Sequence, residues 1–292
     1  MIVLNSKHKR LPPWLKRQVG KSENVQSVKR ILRGNDLHTV CEEARCPNLG
    51  ECFEQKRATF LILGDYCTRG CGFCSVKEGR PLLPDPDEPE KVARAAAKMG
   101  AKYVVITSVT RDDLPDGGSK QFADTIKAVN NLLPKSSVEV LTPDFTGHIE
   151  AINTVCKAGP DVYNHNVETI PSLYFKVRPQ AEYKRSLDLL RHVKKSYPSI
   201  TTKSGLMLGL GEKKEEVISL LEDLKSAHCD LITIGQYMRP TRNNLEVVEY
   251  VRPEIFKELE IIGKKMGFSG IYSGPLVRSS FNAEEFRSSV KN

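Results

Sequence analysis

The sequence predicts an α/β fold in which short strands alternate with helices and pair in parallel. Six short apolar runs have the composition of buried strands, and stretches with helical periodicity separate them. Such an alternation requires parallel pairing with right-handed crossovers. A chain of 292 residues is long enough for this arrangement to form one large unit. The pattern alone leaves two architectures open, an open sheet and a curved partial barrel.

The N-terminal part of the chain precedes this alternation. Residues 1–20 are basic and contain two prolines, and we expect an extended arm anchored by Trp14 and Leu15. A short helix with three apolar residues on one face follows and ends at Gly34. Residues 35–55 show little regular pattern but hold three cysteines, so a metal centre is expected to order them.

From Thr59 onward, each predicted strand is followed by a helix. The predicted strands are 59–64, 103–107, 138–141, 161–165, 203–208 and 231–235. The predicted helices are one that ends at Gly100, one that ends near Leu133, and the segments 149–157, 183–195, 217–224 and 254–266. Asp87 is expected to cap the first of these helices, and residues 270–273 form a terminal extended piece.

Composition and charge restrict the functional classes. Lys and Arg number 44 against 36 Asp and Glu, which gives a net charge of +8. This positive charge favours binding to an acidic partner or to nucleic acid, although an ordinary solvated surface explains it equally well. No nucleic-acid-binding motif accompanies the charge. No apolar run approaches the roughly 20 residues that span a bilayer, and the N-terminus lacks a signal-peptide core. We therefore expect a cytoplasmic protein that binds neither membrane nor nucleic acid.

The most informative stretch is CTRGCGFC, residues 67–74, which follows the first strand of the alternation. Loops at strand ends usually carry the chemistry of α/β enzymes, and the two glycines let the backbone wrap around a bulky group. Three closely spaced thiolates suit an iron–sulfur cluster with one open iron; zinc or incidental thiols are the alternatives. Six of the eight cysteines lie between Cys41 and Cys74. The other two, Cys156 and Cys229, are expected to be small core residues rather than disulfide partners.

Three motifs together carry a family resemblance. The first is the C-x3-C-x2-C spacing with an aromatic residue, Phe73, before the last cysteine, which is the signature of radical SAM enzymes. The others are Cys41-x4-Cys46-x5-Cys52 and Arg278-Ser279-Ser280-Phe281. With all three motifs, the sequence resembles the lipoyl synthase family, which belongs to this superfamily. The resemblance extends from Leu11 to Ala283. The family usually has Tyr where this chain has Phe281, a change that leaves both serines in place.

The resemblance implies a (β/α)6 partial barrel over residues 56–268. An N-terminal extension, residues 1–55, and a C-terminal tail, residues 269–292, would close its open side. It also implies a [4Fe-4S] cluster on Cys67, Cys71 and Cys74, whose remaining iron binds S-adenosylmethionine. A second [4Fe-4S] cluster would be held by Cys41, Cys46, Cys52 and Ser280, the serine being preferred to Ser279. The first cysteine triplet and Ser280 are thus the predicted catalytic residues.

Loops after the strands are expected to bind S-adenosylmethionine. The predicted contacts are Phe73, Thr107, Ser108, Asn166, Glu168, Arg178, Met238 and Arg239. Arg178 suits the carboxylate of that cofactor because a guanidinium forms forked bonds to carboxylates. For each residue the alternative is an ordinary hydrogen-bonded turn group. The glycine-rich segment 205–212 resembles the G-x-I-x-G-x-x-E pattern that follows the fifth strand of radical SAM enzymes and is expected to approach the nucleoside; a structural glycine turn is the alternative. For the carboxylates of residues 111–116, a helix-capping, solvated loop is preferred to acid–base chemistry.

The resemblance further implies the reaction. Two deoxyadenosyl radicals would break C–H bonds at C6 and C8 of an octanoyl chain, and the second cluster would supply two sulfur atoms. The octanoyl group would be carried on a lysine of a small acidic lipoyl carrier domain, either an E2 subunit or the glycine-cleavage H protein. The basic segments Lys7–Arg10 and Lys16-Arg17 are expected to help bind it. The electron donor would be of flavodoxin or ferredoxin type.

Two other functions compete with this interpretation. Another radical SAM enzyme that inserts sulfur or transfers a methylthio group would share the first motif. It would not be expected to carry the second cysteine set together with the terminal serines. A basic nucleic-acid-binding protein with structural zinc would explain the charge and the cysteines. It would not explain six strand–helix units.

Overall fold

A mostly parallel sheet lies at the centre of the fold, and helices connect its strands. The computed structural model describes residues 11–16, 23–281 and 283. The strands in these residues are β1 (His38–Thr39), β2 (Thr59–Ile62), β3 (Tyr66–Cys67), β4 (Lys77–Glu78), β5 (Tyr103–Ser108), β6 (Ser137–Leu141), β7 (Val162–Asn164), β8 (Thr201–Leu208), β9 (Leu231–Gln236) and β10 (Gly270–Ser273). The α-helices are α1 (Glu23–Arg33), α2 (Val40–Glu43), α3 (Leu49–Glu54), α4 (Glu88–Met99), α5 (Ser119–Leu132), α6 (Ile149–Lys157), α7 (Tyr174–Val177), α8 (Tyr183–Ser196), α9 (Lys214–Ser226) and α10 (Pro253–Lys265).

The main sheet has eight strands in the order β1-β2-β5-β6-β7-β8-β9-β10. All neighbours from β2 to β10 pair in parallel, and β1 pairs with β2 in the antiparallel direction. The six alternating strands of the predicted partial barrel are therefore confirmed. The sequence did not predict β1, and the extended piece at residues 270–273 is a further parallel strand beside β9. Since parallel strands end at one edge, the loops that follow them meet there.

Helix α4 illustrates how the sequence specifies these connections. Its apolar residues Val92, Ala95, Ala96 and Met99 are buried, and Gly100 ends the helix with a φ of 68°. A left-handed C-cap of this kind is accessible to glycine at little steric cost. Asp87 occupies the N-cap position as predicted, but its side chain makes no capping hydrogen bond. Instead, the buried carboxylate of Glu88 accepts the Leu63 N–H at 2.9 Å, which ties the helix to the end of β2.

The N-terminal segment packs on the same body. The predicted helix is confirmed as α1, with three buried residues on one face. Leu15 is buried, but Trp14 is 38% exposed, so the prediction that Trp14 is an anchor is wrong. The basic residues Lys7–Arg10 and Arg17 lie outside the described residues.

Residues 35–55 are more regular than predicted. They contain the short helices α2 and α3, which the sequence pattern missed because neither is long enough to show periodicity. Thr39 caps α2, since its hydroxyl accepts the Glu42 N–H at 3.3 Å.

One continuous hydrophobic core joins this segment to the strands and helices of the barrel. Phe53 of α3 is fully buried in it. Cys156 and Cys229 are buried in the same core, as predicted. No helix in the described part of the chain is long and apolar enough to cross a bilayer.

Candidate active site

The first cysteine loop begins at β3 and lies across the edge of the sheet where the parallel strands end. Its backbone is held from two sides, because Gly72 N–H donates to the Val177 carbonyl and the Leu245 N–H donates to the Gly72 carbonyl. These two bonds measure 3.0 and 2.9 Å. A Cβ at Gly72 would lie 2.9 Å from the Leu245 side chain and 3.0 Å from the Lys176 carbonyl. Only glycine fits this approach without displacing a neighbour.

The environment of the three thiols suits a metal cluster. The sulfur of Cys67 accepts hydrogen bonds from Thr110 N–H at 3.2 Å and from Arg69 N–H at 3.4 Å. Such donors stabilise a thiolate. Burial raises the pKa of Cys71, and it raises the pKa of Cys74 to about 12. Buried thiols of this kind lose their protons on binding a metal centre.

The second cysteine set lies in and beside α2 and α3. Cys41, Cys46 and Cys52 line one cavity together with Arg278 and Ser280. Burial, reinforced by the neighbouring Cys46, raises the pKa of Cys41 to about 12. All eight cysteines of the chain are free thiols, so none of the predicted ligands is lost to a disulfide.

The spacing of the thiols bears on the zinc alternative. Within residues 11–16, 23–281 and 283, no three or more His, Cys, Asp or Glu side chains are placed to hold one metal ion. A structural zinc ion needs four ligands that converge on a single point. Cysteines that bind a [4Fe-4S] cube attach to separate irons and need not converge in this way. The described residues thus hold no ready-made site for a single ion of this kind.

The two serines of the C-terminal motif face different partners. Ser280 lines the cavity of the second cysteine set. Ser279 instead accepts a hydrogen bond from the Asn166 side-chain amide at 2.6 Å. The C-terminal segment reaches this position by passing over Gly235, where a Cβ would lie 2.1 Å from the Val277 carbonyl oxygen.

Polar side chains at the end of β5 and just after β7 lie at the edge of the sheet where the parallel strands end. Asn166 Oδ1 and Ser108 Oγ are buried, and neither has a hydrogen-bond partner among the described residues. Buried polar atoms rarely stay unpaired, so these two suit the polar groups of a bound ligand. Gly205 provides the space for Asn166, because a Cβ there would lie 2.9 Å from Asn166 Oδ1. Thr107 donates to the Leu141 carbonyl at 2.9 Å, as an ordinary strand group would.

Arg178 and Glu168 carry the charge at this edge, and both interact electrostatically with Cys71. The guanidinium of Arg178 donates to the Asn166 carbonyl at 2.8 Å and lies over the Tyr174 ring. Burial raises the pKa of Glu168, although Arg178 and the Asn166 amide favour its charged form. A buried cation beside a carboxylate and an amide can bind a zwitterionic amino-acid group.

The remaining predicted cofactor contacts differ in character. Phe73 packs in a small apolar cluster with Val177, Leu210 and Tyr237. Met238 is half-buried. Arg239 donates to the Thr241 carbonyl at 3.1 Å and also bonds to the Arg242 carbonyl, so its guanidinium binds its own loop.

The glycine-rich segment 205–212 and the carboxylates of residues 111–116 serve local structure. Glu212 accepts hydrogen bonds from the N–H groups of Gly209 and Leu210 and so closes its own turn. Asp116 caps α5, where its carboxylate accepts the Lys120 N–H at 2.8 Å. Asp113 binds the Arg111 guanidinium at 2.8 Å. The preference for a capping loop over acid–base chemistry agrees with these contacts.

Sequence reasoning missed two residues next to the site. Asp144, at the end of β6, is fully buried and bonded to Arg69 at 2.7 Å. His165 is also buried; its Nδ1 donates to the Thr142 carbonyl at 2.9 Å. Burial, aided by the positive charge of Arg178, lowers the pKa of His165 to about 4. The sequence offers one signal for each residue, its position at or shortly after the end of a predicted strand.

Comparison with known proteins agrees with this geometry. The profile of the Radical SAM superfamily matches residues 61–224, and that of the N-terminal domain of lipoyl synthase matches residues 2–46. The lipoyl synthase of Caldicellulosiruptor bescii is 53% identical over 281 residues, which cover 96% of this chain and 97% of that protein. That of Caldanaerobacter subterraneus is 54% identical over 275 residues, which cover 94% of this chain and 96% of its own.

Solved structures with low sequence identity share the fold. The [FeFe]-hydrogenase maturase HydG aligns with a TM-score of 0.57 at 19% identity, over 79% of this chain and 53% of its own. Streptococcus suis SuiB bound to S-adenosylmethionine aligns with a TM-score of 0.55 at 15% identity, over 75% of this chain and 49% of its own. Because both family profiles match and the sequence relatives are similar over nearly their whole length, the chain belongs to the lipoyl synthase family of the radical SAM superfamily.

Proposed function

We propose that the protein inserts two sulfur atoms at C6 and C8 of an octanoyl group carried on a lysine, giving the lipoyl cofactor. One observation carries the proposal more than any other. Two separate sets of three free cysteines lie on one fold, and a serine from the C-terminal motif lines the cavity of the second set. A radical SAM enzyme that uses only one cluster has no need for the second set.

The first cysteine set is proposed to hold the cluster that binds S-adenosylmethionine. Cys67, Cys71 and Cys74 would be its ligands. The unpaired oxygens of Asn166 and Ser108 would bind the polar groups of the cofactor. Glu168 and Arg178 are the proposed partners of its amino and carboxylate groups, and Phe73 and Met238 of its apolar surface. Arg239 is proposed to contribute through the shape of its loop, because its guanidinium donates to the Thr241 carbonyl.

The second set is proposed to hold the cluster that gives up sulfur. Its ligands would be Cys41, Cys46, Cys52 and Ser280. When bound, the two clusters and S-adenosylmethionine supply radical C–H cleavage and sulfur transfer. The N-terminal extension, residues 1–55, and the tail, residues 269–292, would hold this cluster against the barrel formed by residues 56–268.

Arg278 lies between the two proposed centres. It interacts electrostatically with Cys46 in the second set and with Glu168 beside the first. Next to it, Ser279 is bonded to Asn166. A substrate carbon near these residues would lie beside both centres, so the first could accept its hydrogen atom and the second could supply sulfur. Successive C–H cleavage and C–S formation require this proximity.

The proposed macromolecular substrate is an octanoylated lipoyl carrier domain, from an E2 subunit or the glycine-cleavage H protein. The net charge of +8 favours an acidic carrier of this kind. The proposed electron donor is a flavodoxin or ferredoxin. The eight free thiols suit a reducing compartment, and we place the reaction in the cytoplasm.

Single substitutions test the two assignments separately. Cys46→Ala is expected to lower bound iron from about eight to about four atoms per chain. It should still form 5′-deoxyadenosine but add no sulfur to an octanoyl-lysine peptide. Cys71→Ala should form neither product. Cys156→Ala removes a buried thiol far from both sets in sequence and is the matched control. Full sulfur insertion by Cys46→Ala would refute the proposal.

A further inference from the structure

Arg69, inside the first cysteine motif, has a role that the motif itself does not explain. Its side chain is almost completely buried and lies between two carboxylates from neighbouring strand ends. Arg69 Nε donates to Asp112 Oδ2 at 2.6 Å, and Nη2 donates to Asp112 Oδ1 at 2.8 Å. Nη2 also donates to Asp144 Oδ1 at 2.7 Å. The guanidinium thus fixes the cysteine loop to the loops that follow β5 and β6.

The backbone beside Arg69 is joined to the same loop after β5. The Thr68 N–H and hydroxyl both donate to the Thr110 carbonyl, each at 3.0 Å. In return, the Asp112 N–H donates to the Thr68 hydroxyl at 3.1 Å. This pairing of residues 67–69 with 110–112 is called the clamp below. It places the Thr110 N–H 3.2 Å from the Cys67 sulfur.

The other end of the guanidinium rests on a rigid support. Asp144 is fully buried, and it also accepts hydrogen bonds from Thr146 N–H at 3.1 Å and from Arg185 at 3.2 Å. Burial alone would raise the pKa of Asp144, but hydrogen bonding to Arg69 and its charge hold that pKa well below its usual range. The carboxylate is therefore a permanent anchor at neutral pH.

We propose that Arg69 is a positioning residue that holds the clamp closed and thereby keeps two N–H donors on the Cys67 sulfur. This inference rests on the proposed function, because it takes Cys67 as a cluster ligand. Hydrogen bonds to cluster sulfurs are among the factors that set the reduction potential, since they stabilise the extra negative charge of the reduced state. Arg69 thus tunes how readily the cluster is reduced.

The chemistry of the contact requires arginine. A planar fork binds Asp112 through two nitrogens while reaching Asp144, whereas a lysine ammonium is a point charge without that geometry. Arg69→Lys should keep the charge but loosen the clamp. Arg69→Gln should remove the charge and open the clamp.

Two measurements test the proposal, one without the cluster and one with it. In cluster-free protein, amide hydrogen exchange is followed for residues 67–69 and 110–112. Arg69→Gln is expected to speed exchange in both segments by tenfold or more, and Arg69→Lys by less. Arg185→Gln is the matched control, because it removes another arginine from Asp144 but leaves the clamp intact.

In protein that carries only the first cluster, through Cys46→Ala, the reduction potential is measured by redox titration. Arg69→Gln should make reduction about tenfold less favourable, equal to a shift of about 59 mV to lower potential. Arg185→Gln should shift it much less. Asp112→Asn, at a partly exposed position, should also open the clamp, and it serves if Arg69→Gln does not fold.

The outcomes are distinct. Unchanged exchange in Arg69→Gln, or an unchanged potential despite faster exchange, would overturn the proposal. Equal shifts in Arg69→Gln and Arg185→Gln would also overturn it, because general electrostatics would then suffice. If the parent protein binds no iron at Cys67, the proposed function fails, and the exchange data still show whether the clamp exists.

Discussion

The buried ion pair between Lys203 and Glu139 allows a quantitative prediction. Lys203 Nζ lies 2.9 and 3.0 Å from the two carboxylate oxygens of Glu139, and both side chains are at most 1% exposed. Glu139 also accepts from the Tyr103 hydroxyl at 2.6 Å and from the Asn164 amide at 3.0 Å. The four residues come from β5, β6, β7 and β8, so the network joins the middle strands of the sheet.

The expected cost of breaking this pair follows from its burial. Lys203→Met leaves the charge of Glu139 buried with the neutral donors of Tyr103 and Asn164, and removal of one partner of such a pair costs about 3–5 kcal/mol. In a protein of 292 residues we expect the melting temperature to fall by roughly 5–8 °C. Glu139→Gln/Lys203→Met removes both charges, and should lose less stability than Lys203→Met alone.

Urea unfolding of the four proteins of this double-mutant cycle measures the effect. Lys120→Met, which removes an exposed partner of Asp124, is the control and should leave the unfolding midpoint unchanged within error. A loss below about 1 kcal/mol for Lys203→Met would refute the reasoning. Additive losses in the double variant would also refute it, because they would mean that the two charges do not depend on each other.

Three further predictions concern the site. The pKa of His165 is about 4 in the folded protein, so between pH 6.5 and 4 the unfolded chain binds more protons at this residue than the folded chain. The free energy of unfolding should therefore fall by about 3 kcal/mol over that range as the pH is lowered. His165→Gln should flatten the pH dependence of urea unfolding there. Ser280→Ala should cut sulfur insertion about tenfold or more and lower the bound iron, whereas Ser279→Ala should keep about eight irons per chain. Equal iron loss in the two variants would contradict the assignment of Ser280 as the ligand. Gly235→Ala should displace the C-terminal segment and lower iron to about four atoms, because its Cβ would lie 2.1 Å from a backbone oxygen. Gly274→Ala is its control, with a nearest side-chain contact of 3.3 Å.

The parts of the fold that the sequence predicted are those encoded by local pattern. The strands β2, β5, β6, β7, β8 and β9 are short apolar runs between helical stretches, and their pairing follows from the alternation. Strand β1 has two residues, and α2 and α3 have four and six, too few for any period to appear. Of the two residues predicted to anchor the N-terminal arm, Leu15 is buried and Trp14 is 38% exposed, and the local pattern does not distinguish them.

The residues of the site also separate into those that a local sequence pattern predicts and those that depend on contacts between distant segments. Cysteine spacing is local, so both sets could be recognised, whereas contacts between distant segments could not. Arg69 and Asp144 are 75 residues apart and Asn166 and Ser279 are 113 apart, and nothing in the local sequence pairs them. Which serine faces the second cysteine set depends on the path of the tail over Gly235. The bond from the Arg239 guanidinium to the Thr241 carbonyl is local, but no residue type in that loop predicts it.

The central claim is that one chain carries two clusters and transfers sulfur from one of them. The most direct test is to reconstitute the protein anaerobically with iron and sulfide, count the iron, and incubate it with dithionite, S-adenosylmethionine and an octanoyl-lysine peptide. We predict about eight irons per chain and a peptide that gains two sulfur atoms. About four irons, with 5′-deoxyadenosine formed but no sulfur on the peptide, would contradict the account, and bound zinc without iron would reject it entirely.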